Sequence, residues 1–113
     1  MKQRPLIGAI VRAIVVALVL LTGVVAVLGA KPQVHTVLIE GMRFQPEGLS
    51  VTAGDTVVWV NRDMVPHTAT ASGHFDSGEL APGKSWTHTV RDTGEFSYLC
   101  TYHPLMKGML RVR

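Results

Sequence analysis

The chain has 113 residues, with 11 Lys and Arg against 8 Asp and Glu, 5 His, a single Cys and a formal charge of +3. That length allows one domain, and one Cys excludes an internal disulfide framework, a Cys-x-x-Cys redox pair and an all-Cys zinc site. The positive balance comes from Lys2, Arg4 and Arg12; from residue 31 onward three Lys and five Arg face eight acids, and a neutral domain without a basic stripe is a poor fit to nucleic acid.

Residues 13–30 carry no charge and follow that basic flank. A basic n-region before an apolar helical stretch is the pattern of an export signal, although Leu28 is large for the −3 position of a cleavage site at Ala30. The same residues also fit an uncleaved anchor, since about 18 apolar residues just span a bilayer. Both readings assign residues 1–30 to a signal peptide or membrane anchor, with membrane contact only through residues 6–30 if they are retained. Both also leave the positive flank in the cytoplasm and export residues 31–113, to the periplasm or another extracytoplasmic space. There an unpaired thiol is open to oxidation unless something occupies it, so Cys100 needs an explanation.

The exported part is patterned as strands. Val34–Ile39 is β-branched and alternating, 49–51 leads into the Ala53-Gly54-Asp55 turn, and Thr56–Asn61 reads as a central strand. Further strands are predicted over 67–71, 85–90, 94–100 and 109–113, separated by Ser72-Gly73, Pro82-Gly83 and similar turn signals. No helical period is sustained beyond residue 31, so the fold class is all-β, a sandwich or barrel preceded by an N-terminal hydrophobic helix. Trp59 and Trp86 are expected to anchor the two sheets, and Met42 and Met64 to pack. Asp55, Asp63, Asp76 and Glu79 read as turn or surface acids, none paired as a general acid and base. His35, His74 and His88 read as solvated or half-buried.

The richest stretch is Cys100-Thr101-Tyr102-His103-Pro104-Leu105-Met106, which sets a thiol, an imidazole and a thioether at i, i+3 and i+6 where a strand gives way to a loop. Thiolate, imidazole and a weak thioether are the donors of a redox-active copper site. Such a site needs a second His. His67, behind Pro66 at the opening of a strand, is the His whose loop edge can share an end of the sandwich with Cys100–Met106. A zinc site fits less well, because a thioether is a poor zinc ligand. A binuclear copper centre needs a second thiolate, and Cys100 is alone.

These residues resemble the cupredoxins, the plastocyanin and azurin family of blue copper proteins, and the short Cys-x-x-His-x-x-Met spacing is most similar to that of the amicyanins. The resemblance extends over Met42-Arg43-Phe44-Gln45-Pro46, residues 51–61, Pro66-His67-Thr68, Phe75-Asp76-Ser77-Gly78, Pro82-Gly83 and 94–100. It implies a Greek-key β-sandwich of about seven to eight strands over residues 31–113. It also implies one type 1 copper cycling between Cu(I) and Cu(II), with His67, Cys100 and His103 as trigonal ligands and Met106 as the long axial one. Met109 is a competing thioether, but Gly108-Met109-Leu110 reads as the last strand. Many relatives have an Asn after the first His that ties the ligand loops together; Thr68 stands there in this chain.

The implied role is that of a monomeric electron carrier rather than an enzyme. Redox proteins, a dehydrogenase and a c-type cytochrome by analogy, would dock transiently near His103 through Val65, Pro66, Pro104 and Leu105. A copper storage or delivery protein of the same fold is the alternative; it would favour Cu(I), exchange it readily and lack an intense visible band.

Overall fold

The computed structural model describes residues 30–113, and Pro32–Arg113 form one compact unit. The signal or anchor expected over residues 1–30, and the hydrophobic helix expected within it, lie outside the described residues except for Ala30. Among the described residues nine strands follow one another: β1 Val34–Ile39, β2 Phe44–Gln45, β3 Gly48–Val51, β4 Thr56–Asn61, β5 Thr70–Ala71, β6 Phe75–Asp76, β7 Ser85–Thr89, β8 Gly94–Leu99 and β9 Lys107–Val112. They form two sheets, ordered β2-β1-β4-β7 and β3-β9-β8-β5-β6. The fold is the expected all-β sandwich, with more strands than expected because β2 and β6 are only two residues long.

Period-two patterning explains why the sheets face each other. Val57, Trp59 and Asn61 of β4 are buried while Thr56, Val58 and Val60 are half-exposed, and β9 buries Gly108, Leu110 and Val112 in the same way. Burying alternate residues on each strand places one apolar face per sheet in a shared core. β1 runs parallel to β4 and β3 parallel to β9, whereas the other pairings are antiparallel. Across the core the Trp59 ring meets Tyr98 edge-on, 5.6 Å away at 87°, and Phe44 meets Tyr98 at 4.7 Å. Tyr98 lies opposite Gly108 in the β8–β9 register. A Cβ at Gly108 would drive into the Tyr98 ring, which is why this strand carries a glycine.

Four sequence expectations are corrected. Trp59 and Trp86 do not anchor separate sheets: they are register partners on β4 and β7, with rings 5.4 Å apart. The strand predicted over 67–71 shrinks to Thr70–Ala71, because the Thr68 N–H turns to the Cys100 sulfur and the Ala69 N–H to Ser77 Oγ. Met42 and Met64 do not pack in the core; both are exposed, Met64 at 92%. Asp55 is buried rather than superficial, and accepts hydrogen bonds from Gln33 N, His35 Nε2 and Thr52 N. Those donors, Gln33 first, hold its carboxyl from 3.8 down to about 2.

Candidate metal centre

The loop between β8 and β9 is shaped by its own backbone. His103 N donates to Cys100 O at 3.2 Å, Met106 N to His103 O at 2.9 Å, and Cys100 N to Met106 O at 3.1 Å. Two successive four-residue turns that share His103 therefore close the loop, and the i, i+3, i+6 spacing read from the sequence becomes a compact loop carrying Cys100, His103 and Met106. Cys100 is fully buried and Met106 is buried beside it in the core cluster. His103 is half-buried. Met109 lies within β9, its sulfur 3.9 Å from Ser97 Oγ, away from this loop.

His67 arrives from the other side of the chain. Its backbone exchanges two hydrogen bonds with Leu80, at 3.1 and 2.7 Å, and its ring is fully buried. Nε2 lies 2.8 Å from Asp63 Oδ2 and Nδ1 lies 3.6 Å from Cys100 Sγ. The His103 ring is 5.3 Å from the His67 ring. The structure thus brings His67, Cys100 and His103 to one end of the sandwich, with Met106 on the same loop.

Asp63, expected to be a plain turn acid, governs this geometry. It accepts the N–H groups of Gly41 and Met42 at 2.8 and 3.0 Å as well as the His67 bond. Burial opposes its charge, yet the Met42, His67 and Gly41 donors outweigh burial and hold the carboxyl below its usual range. An ionised carboxylate only accepts, so His67 donates its Nε2–H to Asp63, and Nδ1 is the nitrogen that faces the Cys100 sulfur. Gly41 and Met42 both have positive φ, 63° and 59°, giving the β1–β2 turn the left-handed pair that tight hairpins require. Asp63 binds both of their N–H groups and so anchors a strained non-glycine residue to the ligand loop.

Asn61 and Thr68 complete the frame. Asn61 is fully buried. Its Nδ2 donates to Val65 O at 2.8 Å and Leu80 O at 2.9 Å, while Oδ1 accepts from Asp63 N at 3.0 Å. The segment 62–66 leading to His67 is thereby closed around one side chain. Thr68 N donates to Cys100 Sγ at 3.4 Å, and Thr68 Oγ1 accepts from Thr101 N at 2.9 Å. Thr68 therefore ties the two loops through its hydroxyl, where relatives are expected to use Asn. A signal for Asp63 was present in its place four residues before His67 on the same loop.

The other histidines are engaged elsewhere. His35 bonds Asp55, His74 packs on Phe96, and His88 stacks on Trp86 at 5.3 Å and 10°; burial holds the His88 pKa below its ordinary value. Among the described residues, no three His, Cys, Asp or Glu side chains already stand at metal-binding distances from one another. What the two loops bring to one end is one thiol, 3.6 Å from one imidazole, a second imidazole whose ring lies 5.3 Å from the first, and a thioether on the same loop. That set is too soft for magnesium or calcium and suits copper. On the two segments that carry the donors, Met64, Val65 and Pro66 before His67 and Pro104 and Leu105 after His103 are exposed apolar residues, Leu105 at 94%.

Known proteins match this chain in sequence and in fold. A family model for the cupredoxin-like domain matches residues 11–112. Amicyanin of Paracoccus denitrificans is 32% identical over 84 residues, which cover 66% of this chain and 61% of that protein's length. The crystal structure of Paracoccus versutus amicyanin superposes with a TM-score of 0.64 at 29% identity, covering 78% of this chain and 87% of that one. A Cu-containing nitrite reductase from Thermus scotoductus superposes with a TM-score of 0.66 at 31% identity, covering 76% of this chain but 23% of the reductase.

Proposed function

The chain belongs to the cupredoxin family, and from that premise we propose that it carries single electrons between redox proteins through one copper ion held by His67, Cys100, His103 and Met106. The observation that carries this reading is the approach of His67 Nδ1 to Cys100 Sγ, 3.6 Å, with both residues fully buried and Nε2 already taken by Asp63. When bound, copper supplies one-electron exchange between Cu(I) and Cu(II) and an intense thiolate charge-transfer colour.

The chain's own residues supply rigidity. The closed loop 100–106, the Asn61 side chain and the Asp63 bond each limit how far a donor can move, and a fixed donor set changes little between two oxidation states. Half-buried His103 is the exit toward solvent, and the exposed apolar residues on the two ligand segments, Met64 and Leu105 among them, serve as a docking surface of the small kind that suits short-lived partners. A dehydrogenase as donor and a c-type cytochrome as acceptor follow the amicyanin resemblance. In this reading the domain 31–113 works outside the cytoplasmic membrane, exported or tethered by residues 1–30, as a carrier rather than an enzyme.

The test is a visible and electron paramagnetic resonance spectrum of the copper-loaded full chain beside its Cys100→Ser variant. An intense band in the wild type that vanishes in the variant is expected. A colourless wild type overturns the assignment. A marked preference for readily exchanged Cu(I) favours storage or delivery.

A further inference from the structure

The two sheets do not close on each other everywhere. A cavity of about 280 Å³ is lined by residues of the edge strand β7, the β5–β6 hairpin, β8 and β9. Its walls are apolar: Phe75 and Phe96 stand on one strand each, and Leu110 and Val112 belong to the core. Phe96 precedes Cys100 by four residues on β8, roughly 13 Å of extended chain, so the cavity is separate from the metal centre. Its polar atoms come from His74 and His88. His74 packs edge-on against Phe96, 4.9 Å away at 65°, and His88 lies 5.3 Å from Phe75 and stacks on Trp86. The ring hydrogen bonds of histidine belong to His35 and His67. Among the described residues, the ring nitrogens of His74 and His88 therefore have no partner. Burial lowers the His88 pKa, so at neutral pH this imidazole is uncharged and offers one donor and one acceptor.

We propose that this cavity is a binding site for a monocyclic phenol, with the ring against Phe75 and Phe96 and the hydroxyl hydrogen-bonded to the His74 and His88 imidazoles. Size sets the first limit. A cavity of about 150 Å³ takes a benzene ring, so one of about 280 Å³ takes a ring with a substituent or two and no large polycycle. Charge sets the second. Arg91 and Asp92 line the same cavity with opposite signs, both of them exposed, so neither an anion nor a cation is favoured. Among the described residues no third ligating side chain joins the two histidines, which therefore act as hydrogen-bonding groups rather than as a chelate. A hydroxyl is the neutral group that matches them, because it both donates and accepts and so pairs with either tautomer of an imidazole. The aromatic walls favour a flat ring over an aliphatic alcohol, since ring pairs gain energy beyond the area they bury. Apolar walls with a few convergent polar groups are the usual make-up of a small-molecule site. The proposal stands independently of the copper reading.

The probe is 4-methylphenol, titrated into the full chain and followed by NMR at the ring resonances of His74, His88, Phe75 and Phe96. These are expected to shift together and to saturate with a Kd on the order of 1 mM, a usual figure for so small a ligand. Its methyl ether, 4-methylanisole, keeps the ring but has no proton to donate, and should bind about fivefold more weakly, the effect of one hydrogen bond. The anion 4-methylbenzoate should bind more weakly than 4-methylphenol. His74→Phe and His88→Phe keep an aromatic ring in place and should each weaken 4-methylphenol about fivefold, while His88→Gln should recover part of that loss. If a Phe variant does not fold, His88→Gln and the ligand series on the wild type decide. Cys100→Ser should leave the affinity unchanged. Four rings that show no saturation by about 20 mM overturn the proposal, as does 4-methylanisole binding as tightly as 4-methylphenol. Shifts centred on His103, or binding lost in Cys100→Ser, place the phenol at the metal centre and overturn it as well.

Discussion

Asn61→Leu tests whether one buried amide holds the loop that delivers His67. The substitution keeps the branched shape of the side chain, with bulkier methyl groups in place of the amide, and deletes three hydrogen bonds, to Val65 O, Leu80 O and Asp63 N. At about 1 kcal/mol net for each bond, the loss comes to ~3 kcal/mol. Little is added for orphaned groups, because Leu80 O retains the His67 N–H at 3.1 Å and Val65 is exposed, so that water replaces the amide. For a domain of this size each kcal/mol lowers Tm by about 4–8 °C, so a fall of roughly 12–24 °C is expected by calorimetry of metal-free protein. Asn61→Asp sharpens the test by setting a carboxylate against two carbonyl oxygens. Its folded pKa is pushed up, so its stability is highest below the ordinary carboxylate pKa and falls as pH rises through the raised one. A fall below about 4 °C for Asn61→Leu, the effect of a single bond, would refute the assignment of the loop to this side chain.

Two further outcomes follow from packing and charge. Gly108→Ala forces a methyl into the Tyr98 ring, itself wedged between Phe44 and Trp59, and should cost ~1–3 kcal/mol in urea denaturation; Gly48→Ala, whose Cβ meets only the Arg111 guanidinium at 3.5 Å, should cost far less. Asp55 is held from 3.8 down to about 2 by Gln33, His35 and Thr52. The folded state therefore binds fewer protons than the unfolded one between those values. The stability from Asp55 is complete above pH ~4 and is lost as pH falls toward 2, so Asp55→Asn should flatten that part of a plot of unfolding midpoint against pH; an unchanged slope would contradict the network.

The sequence is most readable where the determinants are local. Val34–Ile39 and Thr56–Asn61 carry their burial alternation in their own residues, and Cys100, His103 and Met106 declare a loop because seven residues contain all three donors. β2 and β6 are invisible because two residues carry no period. The stretch from His67 alternates like a strand, yet its N–H groups go to a sulfur and a serine from distant segments. Asp63 resembles any turn acid until the β1–β2 turn is folded against it, since its partners Gly41 and Met42 are remote in sequence. Asp55 escapes for the same reason, with Gln33 and His35 about twenty residues away. What the chain conceals is the pairing of short polar side chains with remote backbone.

The register of β8 with β9 has an evolutionary corollary. Leu99 and Lys107 are the last partners of a ladder that runs back to Gly94 and Val112, and three of the four donor side chains lie beyond that rung. The strands do not need the tip in order to align, because β9 is also held by β3. Insertions and deletions there are thus buffered from the two sheets, and the tip is an exchangeable cassette on which donor spacing can drift between lineages while the strands beneath it stay the same.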